Sequence, residues 1–327
     1  MAVDAPILLA VPNVSEGRDP AAIERIGAAF ASSRSSGEAD PVRLLDVHSD
    51  ADHHRSVFTL AGHTSQLAAS LFHGAAAAIG SIDVVKRSSG APADAGAHPH
   101  VGAIDVIPLV YFDSRARGAA CAEALVVGER IGTELGVPVF LYGELAGDTP
   151  GRTRAELRRG GIAALTARMS ADSANSASER APGGTEGSAP LRPDFGPPDP
   201  HASAGATLVA AREPLVAFNL QLRPPASLQD ARRIAAQVRE GGEHGLPGLR
   251  AIGVALSGDV AQVSMNVERP LELPLGDVVR AVAKLAPVAS AELVGLAPRA
   301  AFDGFPAELP LPGFDPDRHL IENALGL

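Results

Sequence analysis

The sequence predicts an α/β protein of α+β type. Two similar subdomains of βαββαβ plan each form a sheet with helices on one face, and a ligand tunnel lies between them. Three observations predict this. Short apolar runs alternate with segments whose apolar residues recur at helical spacing. A stretch rich in Ser, Gly, Ala and Pro, without periodicity, interrupts the chain and reads as a flexible linker. After it, the order strand, helix, strand, strand, helix, strand is repeated, the split βαβ arrangement. The expected division is an N-terminal subdomain over residues 1–170, the linker over 171–191 and a C-terminal subdomain over 192–327.

Residues 7–11 read as a buried strand, and Pro12 to Arg18 as a polar loop. Asp19 caps a helix with Pro20 at its first position and Ile23, Ile26, Ala29 and Phe30 on one face. Residues 42–47 form a second strand, 48–54 a polar link and 55–61 a third strand. Thr64 is the expected cap of a long helix carrying Leu67, Ala68, Leu71, Ala75 and Ile79 on its apolar face. A glycine-containing loop leads to a strand over 104–110, then a helix over 115–135, a strand over 137–142 and a helix over 153–169. Beyond the linker, strands are expected at 215–222, 249–256, 260–267 and 288–294, with helices at 228–240 and 275–285. The middle strands form a hairpin turning at Ser257-Gly258-Asp259. A Pro-rich tail ends in a short helix over 318–324.

The composition bounds the function. At 327 residues and 46% hydrophobic, the chain can bury a sizeable core. Lys and Arg number 28 against 38 Asp and Glu, a formal charge of −10, which argues against a nucleic-acid partner. Aromatics are 4% and Trp is absent, so no stacking platform for bases is visible. An anionic small molecule stays open, because a local Arg cluster can oppose the global sign. Cys121 is the only cysteine, which fits a reducing, cytoplasmic setting. Residues 7–12 are too short and wrongly flanked for a signal peptide. No apolar run reaches the roughly 18 residues of a membrane span.

Chemistry concentrates in a few loops. In Asp94-Ala-Gly-Ala-His98-Pro99-His100, proline biases His98 toward extended backbone just before a strand. Histidine titrates near neutrality, so His98 suits a general acid or base. His48, Asp52, His53, His54, His98 and His100 are six metal-capable side chains in two loops. They match no metalloenzyme spacing, and no metal is expected. Arg55 opens a strand and reads equally as a salt-bridge partner or as a carboxylate clamp. The loop of Asn13, Ser15 and Gly17 before a helix reads as a capping loop that can also offer N–H groups to an anion. After the linker comes Pro193-Asp-Phe-Gly196-Pro197-Pro198-Asp199-Pro200-His201-Ala202-Ser203-Ala204-Gly205. It reads as a stiff connector or as a backbone-rich cradle for a flat heteroaromatic ligand.

These stretches together resemble the glutamate formimidoyltransferase family. Pro12-Asn-Val-Ser-Glu-Gly17, Asp52-His-His-Arg-Ser-Val57, His98-Pro99 with Gly102-Ala-Ile-Asp-Val106 and Pro138-Val-Phe-Leu-Tyr142 are similar to its N-terminal subdomain. Pro193-Asp-Phe-Gly-Pro197, Gly205-Ala-Thr207, Leu215-Val-Ala-Phe-Asn219, Ala261-Gln-Val-Ser-Met-Asn266 and Glu292-Leu-Val-Gly-Leu296 are similar to its C-terminal subdomain. The resemblance runs from about residue 7 to 298 with the motifs in order. It implies a cytosolic, homodimeric enzyme of histidine breakdown and one-carbon metabolism. That enzyme moves the formimidoyl group of N-formimidoyl-L-glutamate to N5 of tetrahydrofolate, a co-substrate. On the resemblance, His98 is the catalytic histidine and residues Gly196 through Gly205 contact folate. Arg55, Asn13, His48 and His100 are the further candidates for holding substrate or folate. In the family's Lys-Gly-Glu-His-Pro-Arg stretch this chain reads Ala95-Gly96-Ala97-His98-Pro99-His100, and the usual Asn of His-Asn-Arg is His54. The alternatives are formyl transfer from N-formylglutamate, a His-rich metal-dependent hydrolase and a folate-binding protein without catalysis.

Overall fold

The computed structural model describes residues 6–32, 41–88, 90, 96, 99–147, 149–175 and 191–326. His98, Ala97 and residues 176–190 of the expected linker lie outside the described residues. The chain divides into two units. One holds residues 1–44 and 49–212; the other holds Leu45–His48 and Glu213–Leu327.

The first unit is built on a seven-stranded sheet. Its strands are β1 (Ile7–Ala10), β2 (Asn13–Val14), β3 (Arg43–Asp50), β4 (Arg55–His63), β5 (Ile104–Val110), β6 (Val139–Gly143) and β7 (Thr207–Arg212). β1 and β2 both pair antiparallel with β4 on one side and β5 on the other, so they act as one strand broken at Val11-Pro12. With β3 beside β4, the order β3-β4-β1/β2-β5 is that of a split βαβ unit. β7 and β6 then extend the sheet in parallel from β5.

Asp19 caps α1 (Pro20–Ala31) as expected, with its carboxylate accepting from the N–H groups of Ala21 and Ala22 at 3.0 and 3.1 Å. Helix α2 (Gln66–Ser81) differs from expectation. Its N-cap is Ser65 rather than Thr64, and no cap side chain bonds to it. The buried carboxylate of Glu123 on α4 (Arg117–Glu134) replaces the cap. It accepts from the N–H groups of Ser65 and Ala68 at 2.8 and 2.6 Å, placing negative charge at the positive end of the helix. Phe30, Leu67, Leu71, Ala75 and Ile107 share the core between these helices and the sheet. α3 (Val84–Ser88) follows α2.

Three further boundaries are corrected. β3 continues to Asp50, so His48 lies on a strand and only residues 51–54 form the turn. The expected helix over 153–169 is two helices, α5 (Arg154–Arg158) and α6 (Gly161–Asn175). Gly160 and Gly161, at φ +75° and +65°, break it in a conformation that stops a right-handed helix. Residues 171–175 therefore belong to α6 rather than to a linker.

The expected second subdomain over 192–327 is also corrected. Residues 192–212 belong to the first unit, because β7 pairs with β5 and β6 inside its sheet. The Phe195 carbonyl accepts from the Val139 N–H at 2.9 Å, and the Phe195 ring packs on α4 at Gly128.

The second unit repeats the split βαβ plan. β8 (Val216–Leu222), α7 (Leu228–Val238), β9 (Leu249–Leu256), β10 (Val260–Val267), α8 (Leu275–Ala283) and β11 (Val288–Val294) give a four-stranded antiparallel sheet of order β11-β8-β10-β9. A capping box of Ser227 and Asp230 starts α7. Ile234, Val238, Val278 and Val282 pack on Phe218, Leu220, Val263 and Met265 of the sheet. The hairpin turns at Ser257–Asp259, as expected. The terminal helix is two short pieces, α9 (Pro316–His319) and α10 (Ile321–Leu325).

Candidate active site

Four segments of the first unit converge on one small cavity. They are the end of β2 with Ser15, the turn between β3 and β4, the segment entering β5 and the last residue of α5. Val14, Ser15, His53, His54, Arg55, His100, Asp105 and Arg158 line it. Its volume is about 10 Å³, roughly the room of one water molecule or one oxygen atom.

Backbone bonds hold the segments together. The Ser15 N–H donates to the Ala103 carbonyl at 2.9 Å, and its hydroxyl donates to the Gly102 carbonyl at 2.7 Å. The Ser56 hydroxyl donates to the Glu16 carbonyl at 2.5 Å, tying β4 to the same loop. Two positions admit only glycine. At Gly96, φ is +77° and a Cβ would fall 2.4 Å from the His53 carbonyl oxygen. At Gly102, a Cβ would fall 1.8 Å from the Ala206 carbonyl oxygen. Close backbone approach thus places Gly96 against the His53-His54 turn.

The charges are arranged in two groups. Asp105, buried on β5, accepts from the Val101 N–H at 2.7 Å and forms an ion pair with Arg158. Arg55 is half-buried beside them. Burial and the like charge of Arg158 lower its guanidinium to about 10, so it stays a cation at neutral pH in an environment that favours an anion. Among the described residues no side chain forms an ion pair or hydrogen bond with it. Asp105 and Asp50 act on it only at a distance, without an ion pair or hydrogen bond.

The second group surrounds His54, which sits at φ +49° and is buried. The Gly17 N–H donates to its Nδ1 at 3.1 Å, and Glu16 Oε1 lies 3.4 Å from the same atom. Glu16 also accepts from the N–H groups of Arg18 and Asp19 and from Arg87. Burial alone would raise the Glu16 carboxyl, but these donors outweigh it and hold it below its ordinary value. His54 is lowered to about 4, by burial first and then by Arg87, against the pull of Glu16.

The His54 shift has a measurable consequence. Between pH 6.5 and 4 the unfolded chain takes up a proton at this position that the native protein does not. Stability is complete above pH 6.5 and falls as acid is added, by about 3 kcal/mol at most. Urea titrations across pH 4–7 are expected to show this slope in the wild type and its loss in His54→Gln. An identical slope in both proteins would mean that His54 titrates normally.

The structure brings Arg55 and His100 together at the cavity, with Asn13 on β2 just before its lining residues. Asn13 donates through Nδ2 to the Val11 carbonyl at 3.0 Å, bridging the break between β1 and β2. In the loop Gly196 to Gly205, the end nearer β7 meets the segment entering β5. Gly205 and Ala204 are buried, and the Ala204 carbonyl accepts from the Ala103 N–H at 2.9 Å. His201 shapes that end, its Nδ1 accepting from Ala204 N–H at 3.0 Å. Gly196, Pro198, Asp199 and Ala202 are exposed; Pro197, Pro200 and Ser203 are half-buried. His48 lies on the part of β3, Leu45–His48, that groups with the second unit, and its Nε2 is 3.3 Å from Glu292. Sequence reasoning missed the pair of Asp105 and Arg158. The signal for Asp105 was present, a carboxylate inside the apolar run 104–110 that needs a buried partner. Nothing local marked Arg158.

Comparison with known proteins agrees with this architecture. The family model described as the formiminotransferase domain, N-terminal subdomain, matches residues 7–212, ending at the last residue of β7. A glutamate formimidoyltransferase of Streptococcus pyogenes serotype M1 is 32% identical over 98% of this chain and 99% of its own length. One of Thermoplasma acidophilum is 33% identical over 93% of each chain. The formimidoyltransferase-cyclodeaminase of Gallus gallus is 32% identical over 91% of this chain, which spans 51% of that protein. With a family match over most of its length and relatives aligned nearly end to end, the chain belongs to the formiminotransferase family of transferases.

Proposed function

We propose that this protein transfers the formimidoyl group of N-formimidoyl-L-glutamate to N5 of tetrahydrofolate, giving 5-formimidoyltetrahydrofolate and L-glutamate. The observation that supports the reading is the Arg55 guanidinium, which forms no ion pair or hydrogen bond among the described residues, at a cavity lined by histidines. A glutamate derivative supplies a carboxylate, and a guanidinium can hold it bidentately. The relatives named glutamate formimidoyltransferase support the donor.

In this reading the N5 lone pair attacks the amidine carbon and forms a C–N bond. His98 takes the N5 proton from the tetrahedral intermediate. It returns that proton to the glutamate nitrogen as the old C–N bond breaks, acting as base and then as acid. Gly96 and His100, which flank His98 in the sequence, lie against the His53-His54 turn and at the cavity respectively, and this supports the assignment. Residues Gly196 to Gly205 and Asn13 hold folate, and the enzyme works as a cytoplasmic homodimer without a metal. The test is a spectroscopic assay with N-formimidoyl-L-glutamate and tetrahydrofolate. Folate-dependent turnover is expected. Turnover with N-formyl-L-glutamate alone would replace the donor, and activity lost on chelation would replace the mechanism.

A further inference from the structure

His54 is more than nine-tenths buried at the cavity, and its two ring nitrogens have different fates. Nδ1 is occupied by the Gly17 N–H, a donor that cannot turn away. A nitrogen that accepts carries no proton, so the proton of the neutral ring is on Nε2. Among the described residues Nε2 has no hydrogen-bond partner. The ring therefore offers one N–H donor, directed away from Gly17 and not used by the fold. Beside it in sequence and at the same cavity stands Arg55.

We propose that His54, as a neutral imidazole, is a specificity-determining residue that donates its Nε2–H to a substrate carboxylate held by Arg55. The inference rests on the reading that the substrate is a glutamate derivative. The nearby protein carboxylates are engaged elsewhere. Asp105 is paired with Arg158, Asp50 accepts from the His53 N–H at 2.7 Å, and Glu16 is satisfied by Arg87 and two backbone donors. The room at the cavity suits one carboxylate oxygen. Charged and titratable groups reach His54 from three sides: Glu16 and Arg18 before α1, Arg87 on α3 and His100 before β5. Three of these four disfavour a second proton on the ring, and Glu16 alone favours it. A neutral donor keeps its N–H across the physiological range, whereas an imidazolium would lose a proton within it.

The test uses N-acetyl-L-glutamate, which carries the carboxylates without the transferable group. Isothermal titration compares the wild type with His54→Gln, whose amide N–H reproduces Nε2–H, and with His54→Phe, which has no donor. Phe is expected to weaken binding about 10- to 100-fold, the worth of a hydrogen bond to a charged group, and Gln to stay within about threefold of wild type. Ring ¹⁵N spectra of the wild type, assigned by the His54→Gln variant, are expected to show the Nε2–H tautomer at pH 6–8 and an Nε2–H proton that shifts when the ligand binds. Equal affinity in the Phe variant, a wild type that does not bind N-acetyl-L-glutamate, or an Nδ1–H or imidazolium ring at pH 7 would overturn the proposal. The spectra decide it if His54→Phe does not fold. Intact His54-dependent binding without folate-dependent turnover would instead count against the proposed reaction.

Discussion

His98→Ala is expected to lower kcat for formimidoyl transfer by about 10² to 10⁴ while leaving the folded protein intact. The size follows from the chemistry. N5 of the folate cannot keep its proton after attack, and the glutamate nitrogen is a poor leaving group until it gains one. A single imidazole near neutrality serves both needs. Pro99 biases the residue before it toward extended backbone, and Gly96 passes close to the His53 carbonyl. The measurement is kcat and KM of both proteins with the thermal midpoint as a control for folding. A kcat within tenfold of wild type would remove His98 from the mechanism, and His100 would be the next candidate.

Asp105→Ala is expected to destabilise the first unit by about 3–5 kcal/mol, because it strands the Arg158 cation in a buried site. The Val101 N–H loses its acceptor at the same time. With Asp105 gone, Arg55 and Arg158 face each other without the carboxylate that moderates both. The double variant Asp105→Ala/Arg158→Met is expected to recover much of the loss, since it removes the stranded charge. Urea denaturation of the four proteins of this cycle gives the coupling directly. A double variant no more stable than Asp105→Ala would show that the pair is not what holds the site.

Much of the architecture was legible because local rules and tertiary packing agree. The α1 cap is readable from Asp19-Pro20, and the second unit from its alternating strands and the glycine turn at residues 257–259. The helix over 153–169 was misread because its apolar spacing runs through Gly160-Gly161, while both glycines take positive φ. The cap of α2 was misplaced because its partner, Glu123, is 55 residues further along the chain. Strand β7 was not predicted: residues 207–212 follow a Pro-rich loop, and the first strand beyond it was placed at 215–222. Only parallel pairing with β5 and β6 places them in the first sheet.

By itself the sequence determined the repeated split βαβ plan, the family and the histidine- and arginine-bearing loops where the chemistry sits. These depend on residue type and near-neighbour spacing, which a linear reading contains. Tertiary structure alone decided three things: that Arg158 is the partner of Asp105, that Arg55 forms no ion pair or hydrogen bond among the described residues, and that the Gly17 N–H meets His54 at Nδ1. Each is a relation between groups that only folding brings within hydrogen-bonding or Coulombic range. In a buried site, such distances decide whether a charge is paired, exposed to a ligand or suppressed.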